Sequence, residues 1–176
     1  MGTFGNTNIE DSYVDDTTNK ICGNKHTCPE ACMADSISVY LKHWDSGEKV
    51  KCALYDASRN YIDTTEELTT GGIANWYTFN FSSPPNLLAG VDYIIVMWSD
   101  SSVQTAASWV GGTAYWLETA AYNGWPASLN APTSAFIKSI YVNYTVGWSG
   151  KISGITDPAK VAGVDKANIA KVKGIS

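Results

Sequence analysis

Apolar and polar positions alternate with a period of two along most of this chain, the signature of strands with one face turned to a core. Ile37, Val39 and Leu41 alternate with Ser36, Ser38 and Tyr40. Val50, Cys52 and Leu54 alternate with Lys51, Ala53 and Tyr55. Trp76, Thr78 and Asn80 oppose Tyr77, Phe79 and Phe81, and Ile137, Ile140, Val142 and Tyr144 mark a further run. Tyr93 to Trp98 is apolar throughout and predicts a strand covered on both faces. Turn chemistry separates the runs: Asp45-Ser46-Gly47, Ser58-Arg59-Asn60, Gly71-Gly72, Pro84-Pro85-Asn86, Gly111-Gly112 and Asn123-Gly124. Asn86 to Gly90 reads as a compact turn feeding the strand at Asp92. About nine short strands without helical periods predict an all-β fold, an antiparallel β-sandwich of jelly-roll-like form.

The pattern changes near the C-terminus. Aromatic residues stop after Trp148, and a five-residue motif appears at Lys151–Ile155, Lys160–Val164 and Lys171–Ile175. Each copy reads Lys, an aliphatic residue, a variable residue, Gly and an aliphatic residue. Thr156 or Asp157 followed by Pro158, and Asp165 before Lys166, carry helix-start chemistry, and Gly suits a left-handed cap. Residues 1–147 are therefore expected to form the sandwich. Residues 148–176 are expected to form a tail of helical turns or extended segments. Its aliphatic residues need a surface to cover, on this domain, a symmetry mate or another protein, so a homo-oligomer through the tail is one expectation.

Composition narrows the function classes. Aromatics make up 12% of the 176 residues and charged groups only 16%, opposite to the balance that keeps chains unfolded. The net charge of −5 and the single arginine, Arg59, leave no basic footprint for nucleic acid. No run approaches the ~20 apolar residues that span a bilayer, so no membrane insertion is expected. The first residues lack the charged and apolar regions of a signal peptide. An extracellular, cell-surface or virion location then implies either a leader already removed or export without one.

Three of the four cysteines, Cys22, Cys28 and Cys32, fall close together, with Cys52 further on. Zinc fits poorly, because a second closely spaced pair is missing. One disulfide, Cys22 with Cys32 or with Cys28, is the stronger expectation, and buried free thiols are the alternative. Cys52, by its strand phase, points into the core.

Several motifs resemble a broad group of extracellular β-sandwich modules of secreted and surface proteins. They are Phe4-Gly-Asn-Thr, Thr27-Cys-Pro-Glu30, Ala34 to Lys42, Lys51 to Asp56, Thr65-Glu-Glu67, Trp76 to Phe81 and Leu88 to Tyr93. The likeness covers about residues 4–145 and lies in strands and turns, so it implies a fold and transfers no catalytic residue. The tail motif is similar to Lys-Val-x-Gly-Val segments that end phage-type structural proteins, including tail and fibre components.

Candidate chemistry is sparse. Neither His26 nor His43 stands in a nucleophile motif, and no Gly-rich phosphate cradle occurs. Glu66 and Glu67 are neighbours and face opposite ways in a strand, unlike the facing acids of a glycosidase. Asp11, Asp15 and Asp16 form an acidic segment that offers oxygen ligands for a structural Ca²⁺, the one cofactor the sequence suggests. The aromatics are more informative. Trp98, Trp109, Tyr115, Trp116, Tyr122 and Trp125 fall in one stretch, with Asp100, Gln104, Glu118 and Asn123 near them. Pyranose C–H faces pack on such rings while hydroxyls seek amides and carboxylates. Trp98, inside an apolar strand, is assigned to the core. Trp109, Tyr115, Trp116, Tyr122, Asn123 and Trp125 are the candidate ligand-binding residues.

The expectation is a non-catalytic structural or adhesive module of a surface or virion-type assembly. Its partners are a glycan or other subunits. A carbohydrate-binding module of a secreted polysaccharide-active or cell-surface protein is the alternative.

Overall fold

The computed structural model describes residues 1–10, 13–42, 47–101, 103–109, 115–132 and 136–146, with short backbone pieces at 151–152, 155–156, 160–161 and 164–165. At 13–16, 109, 115–117 and the C-terminal pieces only the backbone is described. Among the described residues of the main body there are thirteen strands: β1 (Gly2–Gly5), β2 (Tyr13–Asp16), β3 (Lys20–Thr27), β4 (Cys32–Leu41), β5 (Lys49–Asp56), β6 (Tyr61–Thr69), β7 (Asn75–Asn80), β8 (Asn86–Leu87), β9 (Asp92–Ser99), β10 (Gln104–Trp109), β11 (Tyr115–Thr119), β12 (Phe136–Lys138) and β13 (Ile140–Thr145). No helix occurs among the described residues.

The strands form two antiparallel sheets, as the alternation predicts. The larger runs β1-β13-β4-β10-β12, with β7 and β8 also on β4 and β2 on β10. The smaller runs β11-β3-β9-β5-β6. Between them lies the main core, with Ile37, Val39, Leu41, Phe79 and Val142 from the larger sheet facing Cys22, Cys52, Leu54, Ile95 and Met97 from the smaller. Central β9 is covered on both sides. Tyr93, Ile95 and Met97 face this core, while Ile94, Val96 and Trp98 enter a second cluster with Ile21, Tyr55 and Leu129 on the outer side. Gly23 is dictated by that packing, since a Cβ there would meet the Ile95 carbonyl oxygen at 1.9 Å.

Strand β4 contains an irregularity that alternation alone does not reveal. Its register with β13 shifts where Asn143 pairs with Ser36 and Tyr144 pairs with Ala34. Cys32 and Ala34 point inward before the shift, and Ile37, Val39 and Leu41 after it. One extra residue thus reverses the inward parity of the strand, as a β-bulge does.

The Asn86–Gly90 segment is partly a strand: β8 pairs Leu87 with Cys32 before the turn at Ala89-Gly90. In the tail, two copies of the Lys-Gly motif are extended rather than helical. Strand β14 (Lys151–Ile152) pairs antiparallel with β15 (Ile155–Thr156), and β16 (Lys160–Val161) with β17 (Val164–Asp165). Asp165 pairs with Lys160 in a strand, and the expected helical turn after it, at 166–172, lies outside the described residues. The third copy lies outside the described residues.

The expected Cys22–Cys32 disulfide is absent: all four cysteines are buried free thiols. The reason is geometric. Six residues of extended chain separate Cys22 from Cys28, about 20 Å at a strand's rise. The Cys32 sulfur lies beside that of Cys28, at 3.5 Å. Cys52 does point into the core.

Candidate functional site

Two aromatic groups stand on the outer faces of the sandwich, one on each sheet. On the smaller sheet, the segment from Ala120 to Asn130 crosses the strands and is fastened at several points. The Tyr61 amide donates to the Ala127 carbonyl at 3.0 Å, and the Leu129 amide to that of Arg59 at 3.0 Å. Below it, Trp98 packs edge-on to Tyr122 at 5.4 Å between ring centroids and tilted to Trp125 at 5.1 Å. Their polar atoms bond within the protein. Tyr122 donates to Glu67 Oε2 at 2.9 Å, Trp125 Nε1 to Thr64 Oγ1 at 2.8 Å, and Tyr55 to the Pro126 carbonyl at 2.9 Å.

Lys51 closes this face. It sits directly across from Trp98 in the β5–β9 register. Its ammonium lies 4.7 Å from the Trp98 ring, 4.4 Å from Tyr122 and 5.4 Å from Trp125, and it donates to the Asn123 carbonyl. Burial lowers the Lys51 pKa, and the Glu67 carboxylate works against that shift. Burial also raises the Tyr122 phenol far above its usual range, reinforced by its bond to Glu67. Partial desolvation acts to raise Glu67, but bonds from Lys49 and Tyr122 hold it below the usual carboxylate value. Tyr122 and Trp125 are therefore half-buried rings with satisfied polar groups and a cation above them, while Asn123 is exposed. A sugar reaching Trp98 must displace Lys51.

The larger sheet carries the opposite arrangement. Tyr40 on β4, Trp76 on β7 and Tyr141 on β13 point outward and are partly exposed. Trp76 lies 5.5 Å from Tyr40 and 4.9 Å from Tyr141, both edge-to-face. Ser38 stands opposite Tyr141 on one side and Thr78 on the other. Small serines on the middle strand leave room for rings from both neighbours to lean inward, so Ser38 is buried beneath them. Polar groups continue the surface. Ser38 and Thr78 hydroxyls are 2.9 Å apart, and Asn143 Nδ2 donates to Ser36 Oγ at 3.0 Å and Ser38 Oγ at 2.9 Å. That leaves the Asn143 amide oxygen and the outward Thr78 side chain beside the rings. This face combines apolar ring surface with amide and hydroxyl groups, the chemistry that accommodates a sugar ring.

The candidates named from sequence are dispersed. Trp109 belongs to β10 of the larger sheet, and Tyr115 and Trp116 to β11 of the smaller, with their side chains outside the described residues. Asp100 accepts the Lys49 amide and Glu118 the Asn130 amide, so both hold loops. Asp11 is outside the described residues, and Asp15 and Asp16 appear only as backbone in β2, so the calcium expectation falls there too. Among the described residues no three His, Cys, Asp or Glu side chains gather as metal ligands. Glu66 bonds Asn80 while Glu67 bonds Tyr122, consistent with opposite orientations. His26 is mostly buried, with Nε2 unpartnered, and burial lowers its pKa. His43 lies outside the described residues.

Tyr40, Trp76 and Tyr141 were not among the candidates, because they are scattered over a hundred residues. Their signal was strand phase: each falls on the polar side of its alternation. No family model matches the chain, and no curated protein matches it.

Proposed function

We propose that this domain is a non-catalytic recognition module that binds glycans through the outer face of its larger sheet. One observation carries the reading: Tyr40, Trp76 and Tyr141 form a joined aromatic surface beside the Ser38–Thr78–Asn143 polar row. The smaller sheet's rings are a weaker candidate, because Lys51 covers them. An adhesive role at a cell surface, or in a secreted or virion-type assembly, is the setting proposed for this face. Attachment to a polysaccharide-active protein is the alternative setting for the same face.

Glycan-array screening followed by calorimetry with the best hit tests this reading. Trp76→Ala should weaken binding about tenfold or more, which corresponds to ~1.4 kcal/mol. Trp125→Ala, provided it stays folded by circular dichroism, should retain affinity. An array without hits, or a hit indifferent to Trp76→Ala, would remove the glycan reading.

Assembly through residues 148–176 is a second reading, supported by the recurrence of the paired-strand motif at β14-β15 and β16-β17. Light scattering on the full chain and on a chain ending before Lys151 tests it. The full chain should form the larger species.

A further inference from the structure

The connection from β3 to β4 passes from the smaller sheet to the larger and begins and ends with a cysteine. Pro29, Glu30 and Ala31 are exposed, whereas Cys28 and Cys32 are buried with their sulfurs 3.5 Å apart. The Cys28 thiol donates to the Glu30 carbonyl at 3.1 Å. Glu30 in turn accepts a 2.9 Å bond from Tyr144 on β13. The turn therefore clasps two elements of the larger sheet, and β4 leads directly to Ser36, Ser38 and Tyr40.

We propose that Cys28 and Cys32 form a covalent modification site, oxidised to an intramolecular disulfide by a small-molecule disulfide such as oxidised glutathione. The thiolate of one cysteine attacks the glutathione disulfide, giving a mixed disulfide and one glutathione thiolate. The second cysteine's thiolate attacks the protein sulfur of that mixed disulfide and expels the other glutathione. Two protein thiols thus become one disulfide, and one glutathione disulfide becomes two thiols, which take up the two protons.

No other pair is as well placed. Cys22 and Cys52 both stand opposite Met97, one on each side of β9. Two strand spacings, about 9–10 Å, keep their backbones beyond the ~7 Å limit for a disulfide. Closing the Cys28–Cys32 gap brings two sulfurs already 3.5 Å apart to bonding distance across a three-residue exposed turn. In the folded protein, burial, the bond with Cys28 and the neighbouring Cys28, Glu30 and Asp35 push the Cys32 thiol up to about 12. Little thiolate then exists near neutral pH, so the bond forms readily only while the chain folds or when the turn opens. The surface environment proposed above would supply the oxidant, but the chemistry does not depend on glycan binding.

The test refolds the full chain in a buffer of oxidised and reduced glutathione, alkylates free thiols and digests with trypsin. Cleavage after Lys and Arg isolates Cys22 in Ile21–Lys25, Cys52 in Cys52–Arg59, and both remaining cysteines in His26–Lys42. His26–Lys42 should lose two hydrogens and take up no alkylating label until reduced, while the other two peptides are labelled. The oxidised chain should melt several degrees above the reduced one, a difference that Cys28→Ser abolishes. Full labelling of all three peptides, a crosslink between peptides, or a lasting glutathione adduct would overturn the proposal.

Discussion

Lys51 shows how a charged residue on an outward strand position becomes a packing element. Its phase on β5 placed it on the solvent side, and that is where it is found. It is nevertheless only partly exposed, because its ammonium lies against the Tyr122 and Trp125 rings of the 120–130 segment. Lys51→Ala should cost about 1 kcal/mol, the scale of a partly desolvated cation–π contact together with lost stem packing. Lys51→Met should recover part of it. Urea unfolding of the three proteins checks the ordering, and a neutral Lys51→Ala would mean that the rings alone hold the segment. The burial of Trp98 was legible in the sequence, since it ends an unbroken apolar strand. The state of Tyr122 and Trp125 was not. Their turn is polar in composition, and what covers them comes from residues some seventy positions away.

At the scale of elements, strand phase was legible and strand neighbours were not. The faces of β4 after its bulge, of β5 and of β7 all follow their alternation. Which strands lie beside one another depends on how the chain crosses between sheets, and no local window records that. The grouping of Tyr40, Trp76 and Tyr141 was therefore invisible until β7 and β13 were known to flank β4. The extra residue in β4 was hidden for a related reason: a bulge is set by the pairing partner. Two changes probe these contacts. Gly23→Ala drives a methyl into the Ile95 carbonyl and should destabilise by about 3 kcal/mol by separating β3 from β9. Ser38→Val removes hydroxyl bonds to Thr78 and Asn143 and lifts the rings above it. A loss of ~1–2 kcal/mol together with weaker ligand binding is expected. Thermal melts of both variants decide the matter, and a Ser38→Val protein as stable as the parent would show that the serines are not fitted to the rings.

Across the whole molecule, the groups most shielded from water lose protons more easily in the unfolded chain. Burial raises the phenols of Tyr55 and Tyr122 well above the usual 10.0, and burial raises the Cys52 thiol well above 9.0. Tyr144 is pushed up to about 12 by its bond to Glu30 and then by burial, and Cys32 reaches about 12. Above about pH 9 the unfolded chain therefore binds fewer protons than the folded one, so stability must fall as pH rises. It is fully present at neutral pH, begins to decline as unfolded thiols ionise near 9.0, and declines more steeply as unfolded phenols ionise near 10.0. Urea midpoints measured from pH 7 to pH 11 should be flat at first and then drop. Tyr144→Phe should start lower, for want of the Glu30 bond, and fall less steeply. A Cys28–Cys32 disulfide should flatten the early part of the decline, because it removes the Cys32 proton from the balance in both states. Midpoints that stay level through pH 11 would mean that water reaches these phenols and thiols in the folded sandwich, and that their burial does not shift them.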